Sequence, residues 1–372
     1  MCGIAGIFVE GDSIIDINFS SMLDNMAQYI KNRGPDNTNK WISKEHKFAM
    51  VHTRLSIVGL GLNGNQPMAS NDGRYIICFN GEIYNFKILK EELNKFFKIK
   101  WKGISDTEVL LEGISKFGFE KFVHKAEGMF AFALFDKKEK ILRLVRDRIG
   151  EKPLYYGFVK GDNFKSFAFS SDIGSFTKIN SAKLKLNQNA ISEFVNNGWI
   201  NGTKTIYQGI NKVNPGEYVE INLTIDFKDL NIKRLRYWRN QFINRKNLSV
   251  INFEESKSEL KTLLIDSLRD QLYAERDMAI FFSGGIDSSL IAALTKKELG
   301  LNINCLTCGF NDSLDSKIYD ETSFAKNICK DLDLPHIVRT ITPDDVIETL
   351  PEMSRIFSEP FADISQIGSY LI

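Results

Sequence analysis

No run of the chain approaches the roughly 20 consecutive apolar residues that a membrane-spanning helix requires. Met129 to Phe135 is only strand length, which excludes a helical span. An excess of one charge is missing too: 48 basic against 47 acidic side chains leave a formal net charge of +1, so no global field draws in a nucleic-acid backbone or an anionic lipid surface. Met1 to Val9 is apolar but lacks a basic flank and runs into Glu10 and Asp12. It does not read as a secretion signal, and the cytoplasm is the expected location. Cysteine is scarce and irregular, at 2, 78, 305, 308 and 329, in a chain too large to need staples, so no disulfide framework is expected. Cys305 and Cys308 have the spacing of a metal knuckle, but no second pair accompanies them and they lie in the apolar run Ile303 to Phe310, which reads more simply as a buried strand. The four histidines, at 46, 52, 124 and 336, show no paired spacing, so no transition-metal site is expected.

What is present is apolar and aromatic. With 43% hydrophobic residues and 28 phenylalanines, the 372-residue chain can fill large cores, and its length exceeds the roughly 250 residues at which single domains divide. Two globular domains are expected. The first half alternates branched or aromatic runs with turn residues: Gly3 to Val9, Lys47 to Val51, Tyr75 to Phe79, Phe130 to Phe135, Ile141 to Val145, Pro153 to Val159 and Phe167 to Ser170. Helical periodicity appears in Phe19 to Ile30 and Thr107 to Lys116, so a sandwich of sheets and helices is expected over residues 1–222. Residues 223–252 are polar and basic and read as a linker. From 253 to 372 helix and strand alternate strictly. A leucine-faced helix follows an Asn252 to Glu255 capping box, then come strands at Met278 to Phe282, 303 to 308 and His336 to Ile341 with helices between them, and Thr342-Pro343 opens another helix. This is the pattern of a doubly wound parallel α/β sheet.

Two places carry chemistry. Cys2 follows the initiator methionine, and removal of Met1 would leave a free α-amine on the cysteine. Such an amine, which in an unstructured peptide titrates at about pH 7.7 to 8.0, could take the thiol proton and later pass it to a leaving group. By itself Cys2 reads equally as a residue of a buried first strand. After it come, in order, Arg33-Gly-Pro-Asp36, Arg54-Leu-Ser-Ile-Val58, Asn80-Gly-Glu-Ile-Tyr-Asn85, Ser105-Asp-Thr-Glu108 and Arg146-Asp-Arg-Ile-Gly-Glu-Lys-Pro-Leu-Tyr-Tyr156. Together these resemble the glutaminase domain of class II glutamine amidotransferases over roughly residues 2 to 220, which implies an αββα N-terminal-nucleophile sandwich. On that resemblance Cys2 attacks the side-chain amide of glutamine, and the Asn80 side chain with the Gly81 N–H holds the oxyanion. Arg54 clamps the α-carboxylate, Leu55, Ser56, Ile57 and Val58 line the pocket, and Glu82 with Asp106 receives the α-ammonium. Plainer readings stand beside these. Asn80-Gly81 is the commonest hairpin-turn dipeptide, Arg54 could be a surface arginine, Ser105 with Glu108 is a capping box that explains an acidic Asp106, and Arg33 to Asp36 could be a turn.

The second place is Ser283-Gly-Gly-Ile-Asp-Ser-Ser289, between a strand and a helix, where backbone N–H groups and the helix dipole attract phosphate. It lacks the glycine-lysine ending of a Walker loop and resembles the pyrophosphate-binding motif of ATP pyrophosphatases. Behind a glutaminase, and followed by Glu359-Pro-Phe-Ala-Asp363 and Ser365, it resembles the glutamine-hydrolysing asparagine synthetases. That resemblance implies ATP and Mg²⁺ as cofactors, glutamine and aspartate as small-molecule partners, and an acyl-adenylate made from aspartate. It assigns Phe282, Cys308 and Ser358 to the adenine and Ser283, Gly284, Gly285, Asp287, Ser288 and Ser289 to the phosphates. Asp287 and Asp363 are assigned to the metal, and Glu359 to the reacting centre as a proton acceptor. A strand-to-helix turn and a helix cap at Asp363 are the plainer readings. The chain stops at Gly368 to Ile372 within a helical pattern, short of where family members continue, so an incomplete synthetase half with weak or absent ligase activity is expected. Another carboxylate or a cell-surface sugar as acceptor, a chain retaining only glutaminase or glutamine-binding function, and a homodimer are all left open.

Overall fold

The structure, a computed structural model, describes residues 1–9, 18–161, 164–180, 182–224, 232–240, 252–310, 320–363 and 365–372. The chain divides into two units, Met1–Ile243 with Ser358–Phe361, and Asn244–Phe357 with Ala362–Ile372.

The first unit contains twelve strands among its described residues: β1 (Gly3–Val9), β2 (Asn37–Ser43), β3 (Phe48–Arg54), β4 (Met68–Ala69), β5 (Tyr75–Ile83), β6 (Gly128–Asp136), β7 (Ile141–Arg146), β8 (Tyr155–Lys160), β9 (Lys165–Ser170), β10 (Ile210–Lys212), β11 (Glu217–Asn222) and β12 (Lys233–Arg236). They form two antiparallel six-stranded sheets in the orders β10-β8-β9-β1-β3-β2 and β12-β11-β7-β6-β5-β4. Side chains alternate across each strand, so every strand feeds two layers. In β1, Ile4 and Phe8 meet Ile76, Cys78, Ala133 and Phe135 of the other sheet. Ala5, Ile7 and Val9 face the other way, against Phe19, Leu23, Met26 and Ala27 of α1 (Phe19–Ile30). In β5 the roles repeat: Ile76 and Cys78 point between the sheets, while Ile77 and Phe79 pack on α2 (Phe86–Phe96), α3 (Asp106–Phe117) and α4 (Phe119–Val123). Helix, sheet, sheet, helix is therefore the layer order. α5 (Gln188–Asn197) completes the helices of this unit that are used below.

Gly3–Val9 and Phe19–Ile30 match the sequence reading residue for residue, and the other strands shift at their ends. The strands Asn37–Ser43, Met68–Ala69 and Ile210–Lys212 are absent from that reading, and two stretches that it did assign differ. Asn80 and Gly81 form no hairpin turn but lie inside β5, paired with Ala131 and Phe130. Lys233–Arg236, within the stretch read as linker, is an edge strand on β11, with Arg236 bonded to Glu217. The rest of that stretch lies largely outside the described residues.

In the second unit β13 (Ala279–Phe281), β14 (Asn304–Phe310) and β15 (His336–Ile341) form a parallel sheet in that order. α6 (Phe253–Gln271), α7 (Ile286–Lys297), α8 (Thr322–Asp331) and α9 (Pro343–Thr349) alternate with the strands. Thr342 closes a full capping box with Asp345, as its place before Pro343 implies. Asn252 caps α6 by accepting from Glu254 N–H.

Candidate active site

In the first unit the end of β3, the second half of β5 and the first turn of α3 converge on Cys2. Cys2, Arg54, Leu55, Ile57, Val58, Gly81, Glu82 and Asp106 line the pocket they form. Sequence reasoning missed Gln66, Phe79, Ser105 and Thr107, which line it too. Ser56 is not on the wall; its N–H donates to Asp36 Oδ2 at 2.8 Å, while Asp36 N–H donates to Arg54 O. The Arg33–Asp36 loop thus ties down the end of β3. Gly34 is needed there, because a Cβ would stand 2.2 Å from Thr53 O.

The Cys2 sulphur is 3.4 Å from Leu55 N and 3.6 Å from Leu55 O. Burial pushes its thiol pKa up, the Leu55 contact and the terminal ammonium oppose that, and the Glu82 and Asp106 charges add to it. A thiol held in this way needs a base to ionise it. The α-amine in this structure is that of Met1, and burial pushes it down towards a base active near neutrality. Arg33 and Lys152 act in the same direction by charge, and Arg33 Nε also holds Cys2 O at 3.2 Å. Lys152 is delivered by the Arg146 to Tyr156 motif: Asp147 accepts N–H groups from Ile149, Gly150, Glu151 and Lys152, and the Arg146 guanidinium holds Gly150 O, Lys152 O and Val213 O.

The geometry of β5 explains the Asn80-Gly81 pair. In an antiparallel strand alternate residues turn their backbone groups to opposite neighbours. Tyr84 N–H goes to Glu127 O on the β6 side, so the odd-numbered residues face the other edge. There Tyr75 bonds Ser70, and Ile77 is paired with Met68 of β4. Past the end of β4, Phe79 N–H donates to Gln66 Oε1 at 2.6 Å, Phe79 O accepts from His52 Nε2 at 3.1 Å, and Ile83 N–H donates to Asp106 Oδ2 at 2.8 Å. Gly81 is the gap in that row, with its edge facing the pocket. A Cβ on it would stand 2.1 Å from Met129 O and 2.5 Å from Phe130 Cα, so no other residue fits. Beside it Asn80 is fully buried, with neither side-chain oxygen nor nitrogen bonded to any described residue. A buried amide without partners costs roughly 1–3 kcal/mol, so the site carries a donor awaiting an acceptor.

Arg54 is buried at 6% exposure and reaches Gly61 O, Asn65 Oδ1 and Gly59 O; burial lowers its pKa, and the nearby charges of Cys2 and Asp36 oppose that. Glu82 and Asp106 repel one another in the same pocket. Burial raises both carboxyl groups above the ordinary range, and their proximity raises Glu82 further. Asp106 is also tied down by Thr107 N–H at 2.7 Å. Ser105 caps α3 by accepting from Thr107 N–H, but Glu108 does not close the box; it accepts from Lys102 and Gly103 N–H instead. One wall therefore offers a buried cation and the other a buried carboxylate pair, a complement to a zwitterion.

The second set divides between the units. The Ser283–Ser289 segment runs from the end of β13 into the first turn of α7, with Gly284 buried at φ +80° and the turn closed by Gly285 N–H to Ser283 Oγ at 3.2 Å and Ser289 Oγ to Gly284 O at 3.1 Å. Asp287 lies in the first turn of α7. Phe282 is buried, its ring edge-on to His336, and Cys308 Sγ lies 3.5 Å from Gly368 O. Asp363 accepts from Ser365 N–H at 2.8 Å, as a cap would, and that bond lowers its pKa. Among the described residues no three carboxylates, imidazoles or thiols gather to hold a metal. Ser358 and Glu359 belong to the first unit. Ser358 Oγ bonds Asp172 and lies 3.1 Å from Tyr29 Oη, while Glu359 pairs with Lys212 at 2.6 Å and accepts from Ile206 N–H at 3.1 Å.

Comparison with known proteins adds family relations. The glutamine amidotransferase domain profile matches residues 1–238, and the asparagine synthase profile matches residues 259–372. The chain is 29% identical to a putative glutamine-hydrolysing asparagine synthetase of Methanocaldococcus jannaschii, covering all of this chain and 71% of that protein. It is 29% identical to a glutamine-hydrolysing asparagine synthetase of Bacillus subtilis, again over the whole chain but only 55% of the relative's length. A protein of Gibberella zeae named amidase chry2 is 26% identical over 93% of this chain and 51% of its own. The chain thus spans about half to three quarters of these relatives. Among solved structures, a Bacillus subtilis glutamine phosphoribosylpyrophosphate amidotransferase overlaps 91% of the chain and 65% of its own at TM-score 0.45 and 16% identity, too weak a likeness to argue from.

Proposed function

Because the chain belongs to the glutamine amidotransferase domain family and carries an asparagine synthase region behind it, we propose that it releases ammonia from glutamine at Cys2 and uses it to amidate an ATP-activated carboxylate, that of aspartate. The observation that carries the first half is the convergence of Cys2, Gly81, the Arg54 guanidinium and the Glu82–Asp106 pair on one pocket, with the buried, unpartnered Asn80 amide next to Gly81 in β5.

With Met1 removed, the α-amine of Cys2 takes the thiol proton, and sulphur attacks the side-chain amide carbon of a glutamine held by Arg54 at its carboxylate and by Glu82 and Asp106 at its ammonium. The developing oxyanion accepts from Gly81 N–H and Asn80 Nδ2, donors that in a dry site contribute about 3–4 kcal/mol to lowering the barrier. The C–N bond breaks as the amine returns the proton, ammonia leaves, and water cleaves the thioester to glutamate. In the second half a carboxylate oxygen attacks the α-phosphorus of ATP and pyrophosphate departs; ammonia then displaces AMP. The Ser283–Ser289 loop would hold the phosphates. Mg²⁺ commonly binds through one or two carboxylates together with phosphates, for which Asp287 and Asp363 are available on the second unit. The Lys212–Glu359 pair would have to open for Glu359 to take a proton from ammonia.

The experiment is Cys2→Ala. It should abolish glutamine-dependent product formation and leave ammonia-dependent AMP release with aspartate intact; equal loss of both would contradict separate sites. A second reading is amidation of another carboxylate, because the fold constrains the acceptor poorly. AMP release with an acceptor other than aspartate would support it.

A further inference from the structure

His52 is fully buried in β3 and belongs to none of the roles assigned above. Its Nε2 lies 3.1 Å from Phe79 O, which can only accept, so this nitrogen carries a proton, and burial lowers the ring's pKa to about 4, which keeps it neutral near pH 7. The bond runs from one sheet to the other, since β3 and β5 belong to different sheets. From the other side Gln66 Oε1 accepts Phe79 N–H, while Gln66 Nε2 reaches Thr107 Oγ1 at 3.3 Å, beside Asp106. Both backbone groups of Phe79 are therefore satisfied by side chains at the point where β4 has ended. A strand continuing there would have paired Phe79 and, one pleat later, Gly81. The two side chains take that strand's place for one residue and stop.

We propose that His52 and Gln66 are positioning residues for amide hydrolysis: they substitute for a neighbouring strand at Phe79 and so hold β5 with the Gly81 N–H unpaired and facing Cys2. This rests on the reading of Cys2 and Gly81 as nucleophile and oxyanion donor. Neither residue touches the reacting atoms through this role. Their effect is on where the amide points, which matters only when negative charge appears on the substrate oxygen.

The test uses the full chain and follows glutamine hydrolysis together with binding of glutamate γ-semialdehyde, whose carbonyl adds the Cys2 thiol to give a tetrahedral adduct. His52→Leu should lower kcat roughly 10–100-fold, a fraction of what loss of a whole donor does, with KM within about twofold. Aldehyde affinity should fall by the same factor as kcat. His52→Gln, which retains a donor, should recover most of both. Gln66→Met removes the acceptor at similar volume and should show the same division, and it decides the matter if His52→Leu does not fold. Unchanged kcat in folded variants, or a fall in kcat without loss of aldehyde affinity, would overturn the proposal. If the unsubstituted protein hydrolyses no glutamine, the reading of the Cys2 site fails instead.

Discussion

At the scale of single residues, the pocket is a set of deliberate imbalances. Arg54 is a buried guanidinium bonded only to neutral acceptors, the Asn80 side chain has no partner among the described residues, and Glu82 and Asp106 have more negative charge between them than burial favours. The carboxyl pair makes a pH prediction. Because both groups are raised, lowering pH protonates the pair before an ordinary surface carboxylate and removes the attraction for an α-ammonium. Glutamine binding should weaken as pH falls through that titration, and at pH values within it binding should release protons. Titration calorimetry in buffers of different ionisation enthalpy measures that release. Asp106→Asn should bind more weakly and keep only the pH dependence of Glu82, at a lower midpoint because the Asp106 charge is gone; proton-neutral binding by the unsubstituted protein throughout would contradict the assignment.

At the scale of elements, packing tolerances set the predictions. α3 and α4 approach so closely that a Cβ on Gly113 would stand 2.0 Å from the Phe122 ring. Alanine normally gains nearly 1 kcal/mol over glycine in a helix, but overpacking costs typically 1–3 kcal/mol. Gly113→Ala should therefore lower the stability of the first unit, by about 1–2 kcal/mol in urea denaturation, and a stabilised variant would show that the ring moves freely. Elements with strong signals were legible in the sequence: β1, α1 and β15 follow apolar patterns that only one structure satisfies, and Thr342-Pro343 marks a helix start by its own chemistry. β12 was not legible, because Lys233–Arg236 is exposed along its whole length and presents no apolar alternation. Asn80-Gly81 misleads for a different reason. Its turn propensity is local, whereas the need for glycine arises from Met129 and Phe130 on the neighbouring strand. The motif residues of the pocket could be named through resemblance, but Gln66 and His52 act on a backbone 13 and 27 residues away and carry no local mark.

At the scale of the whole molecule the two units are unequally supported. Among the described residues the first has three extended buried clusters, one in each layer interface, whereas the second has a single cluster of Phe282, Ala292, Cys305, Ala325, Cys329 and Leu334. α6 buries no residue fully. The second unit should unfold first in urea. All four tryptophans, at 41, 101, 199 and 238, lie in the first unit, so their fluorescence reports on it alone. Far-ultraviolet circular dichroism, which sees both, should begin its transition at lower urea than tryptophan fluorescence. Coincident transitions would show that the two unfold as one.

The arrangement at β5 has a consequence for how this chain can change. A pleat counts in twos, so inserting or deleting one residue between Ile77 and Gly81 would rotate the amide at position 81 towards β6 and swap which side chains meet the helices. Substitutions nearby can be absorbed one at a time, but a change of length cannot. In an alignment of homologues, Cys78 and Phe79 should therefore vary in letters while Asn80 and Gly81 stay and the stretch never shifts its frame.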